Sequence, residues 1–292
     1  MSMAEKTPSV WAGIAWMTVT TLLFVTQDAT MRVLTQSYPI FEVAWARFAV
    51  HMLWALLLVG IPSPRLMVSN RPGLQLARSG LLVGLTLVVA LSISLLPFVD
   101  VVTISNAAPV LVTALSVPLL GERVGWRRWM GVLAGFMGAL MIVGPASITF
   151  QWAILLPVCA AFANALYQIT TRLLSGGDQP LTTFFYTALV GTAVCSVALP
   201  FVWVTPDATG WALMLLIGTA GALSHFCMIR AYTAAPAATV APFGYTTLVW
   251  ALLCGVFIFG EVPSPSTLAG GVVIVGSGLY ILYREKARVR EG

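Results

Sequence analysis

The sequence predicts an all-α polytopic membrane protein, with ten transmembrane helices arranged as two inverted five-helix repeats around a central cavity. Three observations carry that expectation: an apolar composition, ten apolar runs of spanning length, and self-similarity at one constant offset. Of 292 residues, 59% are hydrophobic and 9% charged, where a soluble domain carries about 25% charged. The mean hydropathy is +0.93. So few charges cannot cover a water-facing surface, which excludes a soluble enzyme, a nucleic-acid binder and a disordered scaffold. The net charge of +5 does not restore a nucleic-acid partner. The cations lie in short loops between apolar runs and are not gathered on one solvated face.

The apolar runs cover about 11–34, 40–61, 74–96, 99–120, 127–145, 151–174, 181–203, 210–234, 238–260 and 266–283, each close to the roughly 20 residues that span a bilayer. These are segments 1 to 10. Turn formers separate them, as in Ser37-Tyr38-Pro39, Ile61-Pro62-Ser63-Pro64, Ser175-Gly176-Gly177-Asp178, Thr205-Pro206-Asp207 and Pro263-Ser264-Pro265. With a cytoplasmic N-terminus, thirteen of the fifteen Lys and Arg fall in cytoplasmic segments, Arg65, Arg71 and Arg78 among them, leaving Arg32 and Arg47 elsewhere. The positive-inside rule then puts both termini in the cytoplasm. Trp11, Trp54, Trp126, Trp129, Trp152, Trp203 and Trp211 lie near segment ends as interfacial anchors. Cys159, Cys195, Cys227 and Cys254 all fall in apolar runs, so no disulfide framework is expected.

Residues 97–138, beginning PFVDVVTISNAAPVLV, resemble residues 236–277, beginning PAATVAPFGYTTLVWA. At the shared offset Pro97 matches Pro236, Gly121-Glu122 matches Gly260-Glu261, and Gly131 matches Gly270. Each copy holds an odd number of segments, so the second enters the membrane from the opposite side. The first repeat is expected over 1–146 and the second, inverted, over 147–292. Inverted repeats place a site near the midplane at their interface and expose it to each side in turn. Duplication kept only for packing is the alternative.

The stretch ISNAAPVLVTALSVPLLGERVGWRRWMGVLAGFMGALMIVG and its partner APAATVAPFGYTTLVWALLCGVFIFGEVPSPSTLAGGVVIVGSGLYIL resemble the two EamA-type repeats of the drug/metabolite transporter superfamily. The resemblance covers the whole chain. It implies a ten-helix fold with a central cavity, the fifth and tenth helices being peripheral supports. Within that superfamily the chain is similar to exporters of aromatic and other apolar amino acids. The function so implied is export of small amphipathic metabolites, aromatic or other apolar amino acids first among them, by secondary transport with alternating access across a bacterial-type inner membrane. The alternatives are drugs, another neutral metabolite, or an intramembrane enzyme. The last needs paired catalytic groups, and the two histidines are far apart in sequence. No ATP-binding, CxxC or HExxH motif occurs, so no cofactor or metal is expected. The expected partners are a small-molecule substrate and the bilayer, with a homodimer left open.

Gly121 and Gly260 sit just past apolar helices, where a residue of positive φ ends the helix. The adjoining Glu122 and Glu261 are expected to be structural or gate-closing. Asp28 and Arg47 both fall roughly 9–10 Å below the outer boundary at about 1.5 Å per residue, and His51 follows Arg47 on one helical face. They form either an outer vestibule with a coupling acid or a structural ion pair. Asn106, Asn164 and Gln168 are costly to bury and can both donate and accept. With Ser105, Tyr167, Tyr186, Tyr245 and Trp16 they are the expected substrate-binding set. Trp45 and Trp250 also lie deep enough to wall a cavity with rings. Arg47 is the one cation expected inside, which disfavours a highly charged substrate. His225 is a proton sensor or a structural hydrogen-bonding residue. Pro109, Pro118, Pro157 and Pro242 are expected to interrupt segments 4, 6 and 9. Flexing is expected at the turns at Pro97 and Pro236. Gly131, Gly135 and Gly138 form a small-residue stripe that reads as a packing seam.

Overall fold

A computed structural model describes residues 10–57, 67–121, 125–143, 152–174, 177–235 and 240–291. Glu122 and Pro236, expected as a gate and a hinge, lie outside the described residues. In chain order the helices are α1 (Val10–Leu34), α2 (Ile40–Ala55), α3 (Pro72–Leu95), α4 (Phe98–Ser105), α5 (Ala108–Leu120), α6 (Trp126–Val143), α7 (Leu155–Leu174), α8 (Pro180–Val202), α9 (Ala208–Ala234), α10 (Thr246–Phe257) and α11 (Pro265–Glu291). Short 3₁₀ turns precede α7 and α10, at Trp152–Ile154 and Ala241–Tyr245. No strand occurs among the described residues.

Among the described residues six stretches are long and apolar enough to cross a membrane: Val10–Leu34, Pro72–Leu95, Phe98–Leu119, Trp152–Leu174, Pro180–Val202 and Ala208–Ala234. Shorter apolar helices cover Trp129–Ile142, Phe243–Phe257 and Pro265–Ile281. The chain is a multi-pass, all-helical membrane protein. Its outward surface is apolar, with Trp11, Phe201, Phe257 and Val262 exposed, as a lipid-facing surface requires. Trp11, Trp126, Trp129, Trp152, Trp203 and Trp211 are exposed as expected of anchors. Trp54 instead turns onto α9, its indole donating to Thr219 Oγ1 at 3.3 Å.

Local chemistry sets the ends. Pro72 and Pro180 begin α3 and α8, where a missing N–H costs nothing. Gly121 caps α5 in the left-handed region at φ 66°, and Gly260, three residues past the end of α10, takes the same region at φ 65°. Segment 4 is two helices, α4 and α5, joined at Asn106-Ala107, and segment 9 is the turn Ala241–Tyr245 followed by α10. Pro109 and Pro242 lie in the first turns after these breaks. Pro157 and Pro118 do not interrupt their helices. Pro157 sits in the first turn of α7, where its N–H would be unpaired, and Pro118 falls in the last turn of α5.

Packing pairs helices distant in sequence: α1 with α9, α2 with α8 and α9, α3 with α7 and α8, and α6 with α11. The α6–α11 seam depends on absent side chains. A Cβ on Gly131 would lie 2.8 Å from Ile281 Cγ1, and one on Gly270 would lie 2.6 Å from Ile142 Cγ1. These two contacts exchange under the repeat offset. Gly138 and Gly270 also face each other, a Cβ on Gly138 falling 2.9 Å from the Gly270 carbonyl.

Candidate functional site

Polar side chains converge where α2, α3, α7, α8 and α9 meet. Three pairs one turn apart bring their groups to a common helical face: Arg47 and His51 on α2, Tyr167 and Thr171 on α7, Thr183 and Thr187 on α8. From α3, Arg78 reaches into this space and is 5% exposed. Its Nε donates to Thr171 Oγ1 at 2.9 Å, and its terminal nitrogens donate to Thr187 Oγ1 and Tyr167 Oη. The guanidinium carbon lies 4.3 Å from the Tyr167 ring centroid. His51 and His225 stack at 5.8 Å between centroids, with Phe184 at 4.3 Å from His51 and Phe24 at 5.3 Å from His225. His51 Nε2 and His225 Nε2 are buried without hydrogen-bond partners.

A cavity of ≈ 170 Å³ is lined by His51, Arg78, Thr183, Thr187 and His225, and it reaches the α7–α8 connection at Asp178 and Pro180. There Asp178 accepts from Ser69 Oγ, from Gln75 Nε2 at 2.8 Å and from Asn70 N at 2.8 Å. Partial burial pushes its carboxyl up, and these hydrogen bonds from Ser69, Gln75 and Asn70 more than offset that, holding it below the ordinary carboxylate range.

The opposite end carries an ion pair. Arg32 forms an ion pair with Glu261 Oε1 and donates to the Leu96 carbonyl at 3.3 Å. Glu261 Oε2 accepts from the backbone N–H of Phe98 at 2.7 Å, at the first residue of α4. Arg32 also stacks on Phe259 at 4.7 Å. One ion pair thus ties α1 to the α3–α4 turn at Pro97 and to the connection before α11. Beside it, Asp207 accepts from Tyr38 Oη at 3.0 Å, and Glu42 accepts from Val204 N at 2.9 Å.

Asp28 and Arg47 do not form an ion pair. Asp28 accepts from Gln27 Nε2 at 3.2 Å, while Arg47 donates to Thr86 Oγ1 and lies 5.0 Å from the Phe48 ring. Gly221 leaves room for Gln27 and Arg47, since a Cβ there would lie 2.6 Å from Gln27 Oε1 and 3.7 Å from Arg47 Nε. His51, expected in an outer vestibule, sits three turns into α2 and faces the cavity that reaches the Asp178 end. The expected binding set is spread over the molecule. Tyr167 joins Arg78. Asn106 bonds its own helix, donating to the Val102 carbonyl at 2.8 Å, and Ser105 Oγ is buried and unpartnered. Gln168 donates to Asn164 Oδ1 at 3.3 Å and is exposed. Tyr245 Oη is buried and unpartnered against Gly278, Tyr186 packs edge-on to Phe185, and Trp16 joins Met17 and Met228.

Sequence reasoning missed Arg78 and Arg32. Arg78 was counted with the loop cations, yet it lies six residues into α3, about 9 Å along the axis. Arg32 has a signal in the repeat: Met31-Arg32-Val33-Leu34-Thr35 parallels Thr171-Arg172-Leu173-Leu174-Ser175, each at the end of a span.

Comparison with known proteins bears on the chain as a whole. The S-adenosylmethionine uptake transporter of Rickettsia bellii is 29% identical over 98% of this chain and 98% of its own. The riboflavin transporter of Rhizobium johnstonii is 29% identical over 99% of this chain and 97% of its own. The pseudopaline exporter CntI of Pseudomonas aeruginosa is 29% identical over 90% and 93% respectively. A crystal structure covering 97% of this chain and 100% of its own superposes with a TM-score of 0.67 at 17% identity, a likeness of fold. These relatives are transporters and not enzymes. Their named substrates are S-adenosylmethionine, riboflavin and pseudopaline, which corrects the expectation of aromatic amino-acid export. Residues 11–144 and 151–283 each match the EamA-like transporter family, and the chain belongs to that family, within the drug/metabolite transporter superfamily.

Proposed function

We propose that this protein is a secondary transporter that carries a small metabolite across the bacterial inner membrane by alternating access. The single observation carrying this reading is the asymmetry of the two ends: Arg32–Glu261 seals one, and the cavity lined by His51 and Arg78 reaches the other. In this reading ten spans form two inverted repeats, 1–146 and 147–292. The exchange of Gly131–Ile281 for Gly270–Ile142, and the matched left-handed Gly121 and Gly260, support it. The positive-inside rule makes the sealed end outer and the Asp178 end cytoplasmic, with both termini in the cytoplasm. Transport then needs the outer seal to break while a cytoplasmic one forms. The repeat points to its residues: Glu122 stands at the shared offset from Glu261, and Arg172 stands one position past that offset from Arg32.

The test is counterflow in proteoliposomes holding the full chain, with labelled S-adenosylmethionine and riboflavin, each with and without a pH gradient. Saturable counterflow of one of them is expected, and Glu261→Gln should reduce it several-fold with the protein still folded. Absence of counterflow for both, from protein that remains monodisperse, refutes this reading.

A further inference from the structure

We propose that Arg78 is the substrate's carboxylate-binding residue, so that the transported metabolite carries a carboxylate. The inference rests on the transport reading for its setting and on the cavity for its chemistry. A guanidinium in a membrane-embedded helix is expensive unless something compensates its charge. Among the described residues Arg78 has no carboxylate within ion-pair distance. Its acceptors are all neutral: the hydroxyls of Thr171, Thr187 and Tyr167, and the Thr183 carbonyl at 3.5 Å. Those neutral contacts orient the group without neutralising it. The Thr171 and Thr187 hydroxyls donate to carbonyls of their own helices, Tyr167 at 2.7 Å and Thr183 at 2.8 Å. Their lone pairs therefore face the guanidinium, and the Tyr167 ring fixes its plane. Four of the five guanidinium N–H groups are engaged, the one toward the Thr183 carbonyl only weakly at 3.5 Å, so at the cavity wall that N–H and the free one on the other terminal nitrogen can take the two oxygens of a carboxylate.

Two further observations point to a ligand. His51, only 2% exposed, lines the same cavity with Nε2 unpartnered, and the His225 Nε2 beside it is unpartnered too. They offer ring nitrogens and a stacked apolar face, backed by Phe184, to the rest of the ligand. The charge balance agrees. Among the described residues neither Arg78 nor Arg47, which is buried as well, has a carboxylate within ion-pair distance. Asp178 is engaged by Ser69, Asn70 and Gln75 at the cavity's end. There it would repel an anion that carried a second carboxylate toward it.

The experiment uses the full chain in detergent and compares thermal stabilisation by matched probes. The pairs are nicotinate against nicotinamide, and S-adenosylmethionine against its decarboxylated form. The acid of at least one pair should bind about tenfold more tightly than its partner. Arg78→Gln should bring the two within twofold, and Arg78→Lys should fall between, since an ammonium keeps the charge but loses the fork. Equal stabilisation by acid and partner in wild type, or none by either acid, overturns the assignment and needs no variant that folds. Riboflavin, which lacks a carboxylate, separates the two readings. Its counterflow without any acid preference removes the carboxylate and leaves the transporter; acid preference without counterflow of any probe does the reverse.

Discussion

Asp207 joins local and long-range structure in one carboxylate. It is the N-cap of α9, accepting from Gly210 N at 2.7 Å, and it also accepts from Tyr38 across the sealed end. The Gly210 hydrogen bond first, and that from Tyr38 next, hold its carboxyl below the ordinary value. A depressed folded value contributes stability above the unfolded carboxylate pKa of about 3.9, and that contribution is lost as pH falls through the folded value. Asp207→Asn keeps a capping oxygen but no charge. Its melting temperature should therefore sit below wild type at pH 7, with the gap closing as the medium is acidified below about pH 4. A gap that stays constant with pH would show that the charge contributes nothing. The residue scale is also where reading from sequence fell short. Arg78, Arg47 and Arg32 look alike in a linear string, yet one lies at a cavity wall, one against Thr86 and one in an ion pair. Their partners arrive from other helices, so no local pattern separates them.

Elements were far more legible. Among the described residues the apolar runs identified from periodicity and length fall on helix, apart from the break in segment 4 and the 3₁₀ turn that opens segment 9, because the signal is the run itself. The small-residue stripe on α6 was readable as a seam, and its partner α11 became visible only on packing. Two substitutions separate seam from surface. Gly270→Ala places a Cβ 2.5 Å from the Gly138 carbonyl, where backbone must move, and should cost about 1–3 kcal/mol. Gly84→Ala meets nothing within 4 Å and, by restricting the unfolded chain, should be neutral or stabilising by up to about 1 kcal/mol. Melting temperatures in one detergent check both. Equal effects would mean that α6 and α11 do not pack as described. The break in segment 4 shows the limit of reading proline: Pro109 falls after the break and Pro118 ends nothing, since tertiary contacts decide which weakened turn opens.

At the scale of the whole molecule, closure of one end is an interaction between chain positions more than two hundred residues apart. If Arg32–Glu261 is the moving seal, Arg32→Glu alone should slow counterflow strongly, and Arg32→Glu with Glu261→Arg should recover part of it. The coupling energy should fall within about 0.5–3 kcal/mol. Recovery should be incomplete, because an arginine at 261 cannot accept from Phe98 N as Glu261 does. If the single variant lowers the melting temperature but leaves the rate untouched, the pair is a brace and not a seal.

Composition and periodicity settled that the chain lives in a membrane, where its helices run, and that one half repeats the other. These are local properties, since the free energy of inserting a helix is a sum over its own side chains. Tertiary structure decided which cations face a cavity, which acid pairs with Arg32 and which histidine nitrogens stay without a hydrogen bond. A buried charge takes its meaning from its neighbours, and those of Arg78 lie on α7 and α8, brought to it only when the helices pack.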